Sequence, residues 1–349
     1  DDSAPDAGAV YVFSRSVAAG WSQQAYVKAS NTDAEDYFGS VALSGDGNTL
    51  AVGAIGESSH STGINGDQHD NSARESGAVY VFTRSTGIWA QQSYIKASNP
   101  DAHDVFGCDV SLSADGNTLL VGAFGEASNA TGVNGDQNDN STPTNGAAYV
   151  FSRSTEGWAQ EAYLKASNTD DGDLFGSALA LSGDGHTLAV GASREDSNAI
   201  GPSGDASNNS YSNAGAVYLF QFDTAWHQTE YIKASNTNPE DLFGSRVALS
   251  NDGRTLAVAA WQEASNAYGI NGDQFDNSGS LPGAVYVFAL GTVWVQQAYI
   301  KNSAPTQFFG SSLAFTPDGN NLAIGAHLSR GEQVDVGNPS PAITQSGAL

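Results

Sequence analysis

The apolar positions of this chain fall in short runs of about five residues bounded by Gly, Asp, Asn and Ser, and no stretch keeps a helical period long enough to compete. In the first full unit the pattern predicts four strands, A to D. Strand A follows a Phe-Gly pair (Ser40 to Ser44), strand B is Thr49 to Ala54, strand C is Ala78 to Phe82, and strand D runs from Trp89 to about Ala97. Strands B and C are apolar on both alternating faces, which places them between two neighbouring sheets rather than over one core. Strand D is interrupted by Gln91 and Gln92 and closed by Lys96, as expected of an outer edge strand kept polar against edge pairing.

The pattern repeats. Gly-Ala-Val-Tyr-Val-Phe starts at Gly8 and returns, with small changes, at Gly77, Gly146, Gly215 and Gly283, at spacings of 69, 69, 69 and 68. The same step carries a Trp (Trp21, Trp89, Trp158, Trp226, Trp294) and a Lys (Lys28, Lys96, Lys165, Lys233, Lys301). It also carries Phe-Gly from Phe38 to Phe309 and Asp-Gly from Asp46 to Asp318, so five units account for all 349 residues. Four-stranded meanders with two apolar faces pack radially, and the predicted fold is all-β: a β-propeller of four-stranded blades in a single domain, residues 1–349. Five blades are expected: repeats at 38–105, 106–174, 175–242 and 243–308, and a closing blade from 1–37 plus 309–349. That blade would take strands C and D from residues 8–30 and strands A and B from 310–326. Gly347-Ala348-Leu349 reads as the start of a further strand C, which leaves six or seven blades open for a longer parent.

Phe-Gly followed by Ser-Val-Ala-Leu-Ser, then Leu-Ala-Val-Gly-Ala (Leu50 to Ala54), then Gly-Ala-Val-Tyr-Val-Phe, resembles the FG-GAP repeat of integrin α-subunit propellers and their bacterial relatives. The resemblance covers essentially the whole chain. It implies an extracellular propeller, often calcium-bearing, used in adhesion or recognition. One departure is that the Pro after Gly-Ala is replaced by Ile55, Phe124, Ser193, Trp261 and His327. The family's calcium motif, alternating acids ending in Asp-Gly, survives only as its last two residues, for example Asp46-Gly47 and Asp115-Gly116. These predict hairpin turns instead.

Composition narrows the function. Thirty-eight acids against 13 Lys and Arg give a net charge of −25, which excludes nucleic-acid binding through a basic surface. The apolar runs fall far short of the roughly 18–20 residues of a transmembrane helix, so no membrane insertion is expected. Cys108 alone cannot form an internal disulfide and reads as a small buried residue. The absence of Met and the opening Asp1-Asp2-Ser3 fit a processed product or a fragment, with an extracellular, secreted or cell-surface location. The six His occupy unrelated positions, and neither a nucleophile elbow nor a phosphate loop is present, so an enzyme is not expected.

In a meander, loops A–B and C–D leave one side of the ring and loops B–C and D–A the other. Loop A–B is a tight turn, and loop C–D carries Arg15, Arg84 and Arg153. The other side is acidic, with Asp33 and Asp36, Asp101 and Asp104, Asp170 and Asp173, and Asn238 and Asp241 in loop D–A. Such spacing suits ligands or a capped bend. Loop B–C repeats Asn65-Gly66-Asp67-Gln68-His69-Asp70-Asn71-Ser72 at Asn134 to Ser141 and Asn271 to Ser278, and weakly at Ser203 to Ser210. Two readings stand. Ca²⁺ takes six to eight oxygens, and Glu57, Asn65, Asp67, Asp70 and Asn71 supply such a set. The matching sets are Glu126, Asn134, Asp136, Asp139 and Asn140, and Glu263, Asn271, Asp273, Asp276 and Asn277. In the third copy Asp205 follows Glu195, but Asn208 replaces the second acid. Alternatively, Asn-Gly and Asp-Asn simply form turns. The recurring Trp suits packing between blades better than sugar stacking. The expected function is a non-catalytic, Ca²⁺-binding recognition or adhesion propeller for a protein or glycan. A self-associating structural subunit and a carbohydrate-active enzyme or lectin are the alternatives.

Overall fold

The computed structural model describes residues 4–18, 20–279, 283–302 and 308–326. Among them are twenty strands and no helix. Blade I comprises β3 (Phe38–Leu43), β4 (Thr49–Ala54), β5 (Ala78–Ser85) and β6 (Ile88–Ile95). Blade II comprises β7 (Val110–Leu112), β8 (Thr118–Ala123), β9 (Ala147–Ser154) and β10 (Gly157–Leu164). Blade III comprises β11 (Phe175–Leu181), β12 (Thr187–Ala192), β13 (Ala216–Phe222) and β14 (Trp226–Ile232). Blade IV comprises β15 (Phe243–Leu249), β16 (Thr255–Ala260), β17 (Ala284–Leu290) and β18 (Trp294–Ile300). Each is an antiparallel meander, with strands paired in chain order. The predicted strands A to D are therefore present, and Arg84 and Arg153 lie near the ends of C strands rather than in the C–D loop.

Neighbouring units stack with one fixed polarity. The aliphatic face of blade I (Ala51, Val79, Val81, Ile95) packs on the aromatic face of blade II (Phe106, Tyr149, Phe151, Tyr163). Blades II and III, and III and IV, repeat the arrangement. The family motif explains how sheets approach so closely. A Cβ on Gly53 would stand 2.0 Å from the Gly107 carbonyl of the next blade, and one on Gly77 would stand 2.1 Å from the Phe106 carbonyl. Only glycine leaves room there, and Gly77 also has a left-handed φ of +80°.

The Asp-Gly turns are hairpin turns: Asp46 Oδ1 accepts from Ser44 Oγ at 2.7 Å and from the Asn48 N–H at 2.9 Å. Successive turns are tied around the axis by Gly45 N–H to Ala114 O, Ala114 N–H to Gly183 O and Gly183 N–H to Asn251 O, at 2.8–2.9 Å. Leu43, Leu112, Leu181, Leu249 and Phe315, one from each A strand, line a depression of about 220 Å³ at this end of the axis.

Trp packing between blades holds for Trp158, Trp226 and Trp294, whereas Trp21 is exposed. Trp158 Nε1 donates to Gln92 of blade I at 3.2 Å, with the Arg153 guanidinium 5.3 Å from the indole centre. Gln92 can reach it because the C–D ladder bulges there, stepping from Val81↔Ser93 to Phe82↔Gln91.

The closing blade differs from expectation. Strands β1 (Val10–Ser16) and β2 (Gly20–Val27) form one two-stranded sheet, and β19 (Phe309–Phe315) and β20 (Leu322–Ala326) form another. Among the described residues no ladder joins them. Each half is held by its own neighbour: Val10, Val12, Ala25 and Val27 pack on blade I, and Leu313, Phe315, Leu322 and Ile324 pack on blade IV. His327 and Gly347-Ala348-Leu349 lie outside the described residues.

Candidate recognition face

Loops B–C and D–A meet on one side of the molecule, as the meander requires. Beneath them every complete blade carries the same buried polar network. In blade I, Lys96 at the end of strand D donates to Glu57 Oε2 at 2.8 Å and to Ser76 Oγ at 2.7 Å, with both charged side chains almost fully sealed from water. Asn31 of loop D–A donates to Glu57 Oε1 at 3.3 Å and to the Gln68 carbonyl of loop B–C at 2.7 Å, and it accepts the Tyr80 hydroxyl. The ion pair recurs as Lys165–Glu126 (2.8 Å), Lys233–Glu195 (2.7 Å) and Lys301–Glu263 (2.6 Å). Asn99, Asn168 and Asn236 repeat the bridge. Burial lowers the affinity of each of these ammonium groups for its proton, and the paired carboxylate opposes that shift.

In this structure Glu57, Glu126 and Glu263, expected among the loop oxygens, lie in buried ion pairs, and Lys96, which closes the polar strand D, is buried as well. The rest of the expected set serves loop geometry. Asn65, at φ +54°, pairs with strand D: its N–H donates to Tyr94 O at 2.7 Å and its Oδ1 accepts the Tyr94 N–H at 2.9 Å. Asn134 does the same with Tyr163, and Asn271 with Tyr299. Asp67, Asp136, Asp205 and Asp273 each accept the N–H two residues on, at 2.9–3.0 Å. Asp70, Asp139 and Asp276 do likewise with Ser72, Ser141 and Ser278 at 3.0–3.1 Å. Asn208 fills that turn equally well, accepting Ser210 N–H at 3.0 Å. The second acid is therefore not needed to explain the motif. Asn71 and Asn140 donate to Asp33 and Asp101, and Asn277 accepts from Asn238, lacing loop B–C to loop D–A.

The donors thus point into separate turns. Among the described residues no group of three or more His, Cys, Asp or Glu side chains converges to hold a metal. In this arrangement the residues do not fit Ca²⁺, which needs six to eight oxygens around one point.

Loop D–A adopts the capped bend. The backbone N–H of Asp33, Asp101, Asp170 and Asn238 donates to Asp36, Asp104, Asp173 and Asp241 at 2.8–3.0 Å. Burial pushes those carboxyls up, to about 6 for Asp36, about 8 for Asp104 and Asp173, and about 7 for Asp241. The residue before each Phe-Gly has a left-handed backbone, including the β-branched Val105 at φ +52°. Burial likewise raises the Cys108 thiol to about 12, in keeping with a structural rather than a reactive group.

The FG-GAP repeat family model matches residues 21–82, 89–151, 158–220 and 226–288. The chain belongs to the FG-GAP repeat family. No curated protein matches it. One solved structure supports the fold and a second is similar at a lower score. A putative 6-phosphogluconolactonase from Bacteroides uniformis is 11% identical at a TM-score of 0.51, over 91% of this chain and 71% of its own. A periplasmic gluconolactonase from Pseudomonas aeruginosa is 16% identical at a TM-score of 0.49, over 90% of this chain and 71% of its own.

On this FG-GAP scaffold the framework is constant while the outward residues differ. One exposed loop position carries His69, Asn138, Ser207 and Phe275, and another Thr62, Thr131, Ile200 and Tyr268. In blade IV, Tyr268, Ile270 and Phe275 are all well exposed (58, 58 and 71%), as is Ile200 on the corresponding loop of blade III. Phe275, with Asn271, Asp273, Gln274 and Gln296, borders a hollow of about 340 Å³. Sequence reading missed these exposed residues, although the departure of Phe275 from His69, Asn138 and Ser207 was visible.

Proposed function

We propose that this chain is a non-catalytic, extracellular recognition module that binds a protein or glycan through its B–C and D–A loops, with blade IV as the principal contact. The observation that carries the proposal is the exposed Phe275 bordering a hollow lined by amide and carboxylate groups, with Tyr268 and Ile270 exposed on the same loop. An aromatic surface next to convergent hydrogen-bonding groups suits the apolar face of a sugar ring or an aromatic anchor of a protein. The buried Glu–Lys–Asn networks support it, because a preordered loop loses little freedom on binding.

Pull-down on insoluble polysaccharides and on immobilised extracellular-matrix proteins, with the wild type and the Phe275→Ala and Tyr268→Ala variants, tests this reading. Retention of the wild type that either variant loses supports it. Retention unchanged in both variants, or no retention of the wild type on any support, contradicts it.

A further inference from the structure

Blade II departs from its neighbours in one buried residue. Asn145 stands directly before Gly146, where Ser76 and Ala214 precede the matching glycines of blades I and III and Pro282 precedes Gly283. Only the asparagine carries a carboxamide. Lys165 Nζ donates to Asn145 Oδ1 at 2.8 Å and to Glu126 Oε2 at 2.8 Å. The amine therefore touches a carboxylate that can accept its proton. It also touches the oxygen bonded to Asn145 Cγ, a carbonyl carbon that an amine can attack.

The surroundings fix these groups and keep water out. Lys165 and Asn145 are fully buried, and Glu126 is 1% exposed. The Tyr163 hydroxyl and Asn99 Nδ2 donate to Glu126 Oε1 at 2.9 and 3.1 Å, which leaves Oε2 to the lysine. Asn145 Nδ2 donates to Ser128 O at 2.7 Å, so the carboxamide turns its oxygen toward the amine. The other nitrogen that could attack this carboxamide, that of Gly146, is bonded to Glu126 O at 2.9 Å. Burial of Lys165 favours the neutral, attacking form of the amine, while the charge of Glu126 opposes it.

We propose that Lys165 and Asn145 form a self-modification site, at which the chain joins their side chains by an amide bond with Glu126 carrying the protons. Glu126 first takes a proton from the Lys165 ammonium. The Nζ lone pair then bonds to Asn145 Cγ, and the Cγ–Nδ2 bond breaks. Glu126 delivers its proton to Nδ2 and takes a second from Nζ. Ammonia leaves, and the product holds one secondary amide and a neutral Glu126 carboxyl. No oxidant, reductant or cofactor enters the balance. The reaction is favoured because two buried charges disappear, and a buried ion pair gains little over neutral groups. Fixed contact in a dry site supplies the rate that a free amine and amide lack. The ion pair of blade II is thus the reactant, and those of blades I, III and IV stay ionic. The bond joins residues 20 apart and closes the β9–β10 hairpin covalently. It constrains the unfolded chain as a disulfide would, in a sequence whose single Cys108 offers none.

The test is intact mass spectrometry of the denatured whole chain, wild type and two variants, with melting curves to establish that each variant folds. Asn145→Ser copies blade I, where Ser76 Oγ accepts from Lys96 at 2.7 Å, so the lysine keeps a partner. The wild type is expected about 17 Da below the mass of its sequence, one ammonia lost, and its digest contains a branched peptide joining Asn145 to Lys165. Asn145→Ser and Glu126→Gln are expected at their full sequence masses. A wild type at full mass overturns the proposal. The same loss without the branched peptide, which marks a ring closed on the Gly146 nitrogen, overturns it as well, as does a loss that persists in Asn145→Ser. A branched peptide in Glu126→Gln overturns the role of Glu126.

Discussion

The ammonium of Lys96 lies 2.8 Å from the carboxylate of Glu57, with both side chains closed off from water beneath the loops they support. A buried ion pair of this kind is a weak source of net stability but a strong constraint, because losing one partner strands the other charge. Glu57→Ala alone is expected to cost about 3–5 kcal/mol, whereas Glu57→Leu with Lys96→Met costs much less or nothing. Urea unfolding of both variants checks this. A double variant that loses as much as the single one, or more, would mean that the stranded Lys96 charge is not what costs stability.

The raised carboxyls of loop D–A set a pH dependence. Asp104 is lifted first by burial and then by the charges of Glu126 and Asp101, against the opposing Asp101 N–H and Lys96, to about 8. A pKa higher in the folded chain means that the folded state holds its proton more tightly. The resulting stabilisation is complete below the ordinary value of 3.8 and is lost as pH rises through about 8. Asp173 behaves alike, and Asp241 and Asp36 lose theirs near 7 and 6. The melting temperature should therefore fall as pH rises from about 4 to about 8 and level off above that, and Asp104→Asn should flatten part of that fall. A wild type equally stable across this window would contradict the burial of these groups.

Glycine at the blade contacts is required for space as well as for backbone conformation. Gly77→Ala places a Cβ 2.1 Å from the Phe106 carbonyl at a φ of +80°, whereas Gly132→Ala meets a similar φ of +71° with open space around it. Gly132→Ala should cost about 1–3 kcal/mol from backbone strain alone. Gly77→Ala should cost distinctly more, and thermal melts of the two variants compare them directly. Equal costs would show that the sheets can move apart without penalty.

Much of this was legible in the sequence for a physical reason. A strand buried on both faces and a turn that needs Asp-Gly each impose a local pattern, and repetition multiplied the signal. The Glu57–Lys96 pairing was not, although both residues recur in step. They stand 39 residues apart, and recurrence alone does not say which buried groups meet. The turn at Asn208 shows why the acidic motif misled: an amide serves that bend as well as a carboxylate. The unpaired ends were hidden for a different reason, since strand counting supplies the halves of a blade but not the angle between units.

The central claim is that internal ion pairs, rather than a bound cation, hold the loops of the recognition face in place. Hydrogen–deuterium exchange at the Asn65, Asn134 and Asn271 amides, each bonded to a strand D carbonyl, tests it most directly when run in EDTA and in calcium. The account predicts slow exchange in both conditions and rapid exchange once Lys96, Lys165 or Lys301 of the same blade is changed to Met. Fast exchange in EDTA that calcium suppresses would contradict it.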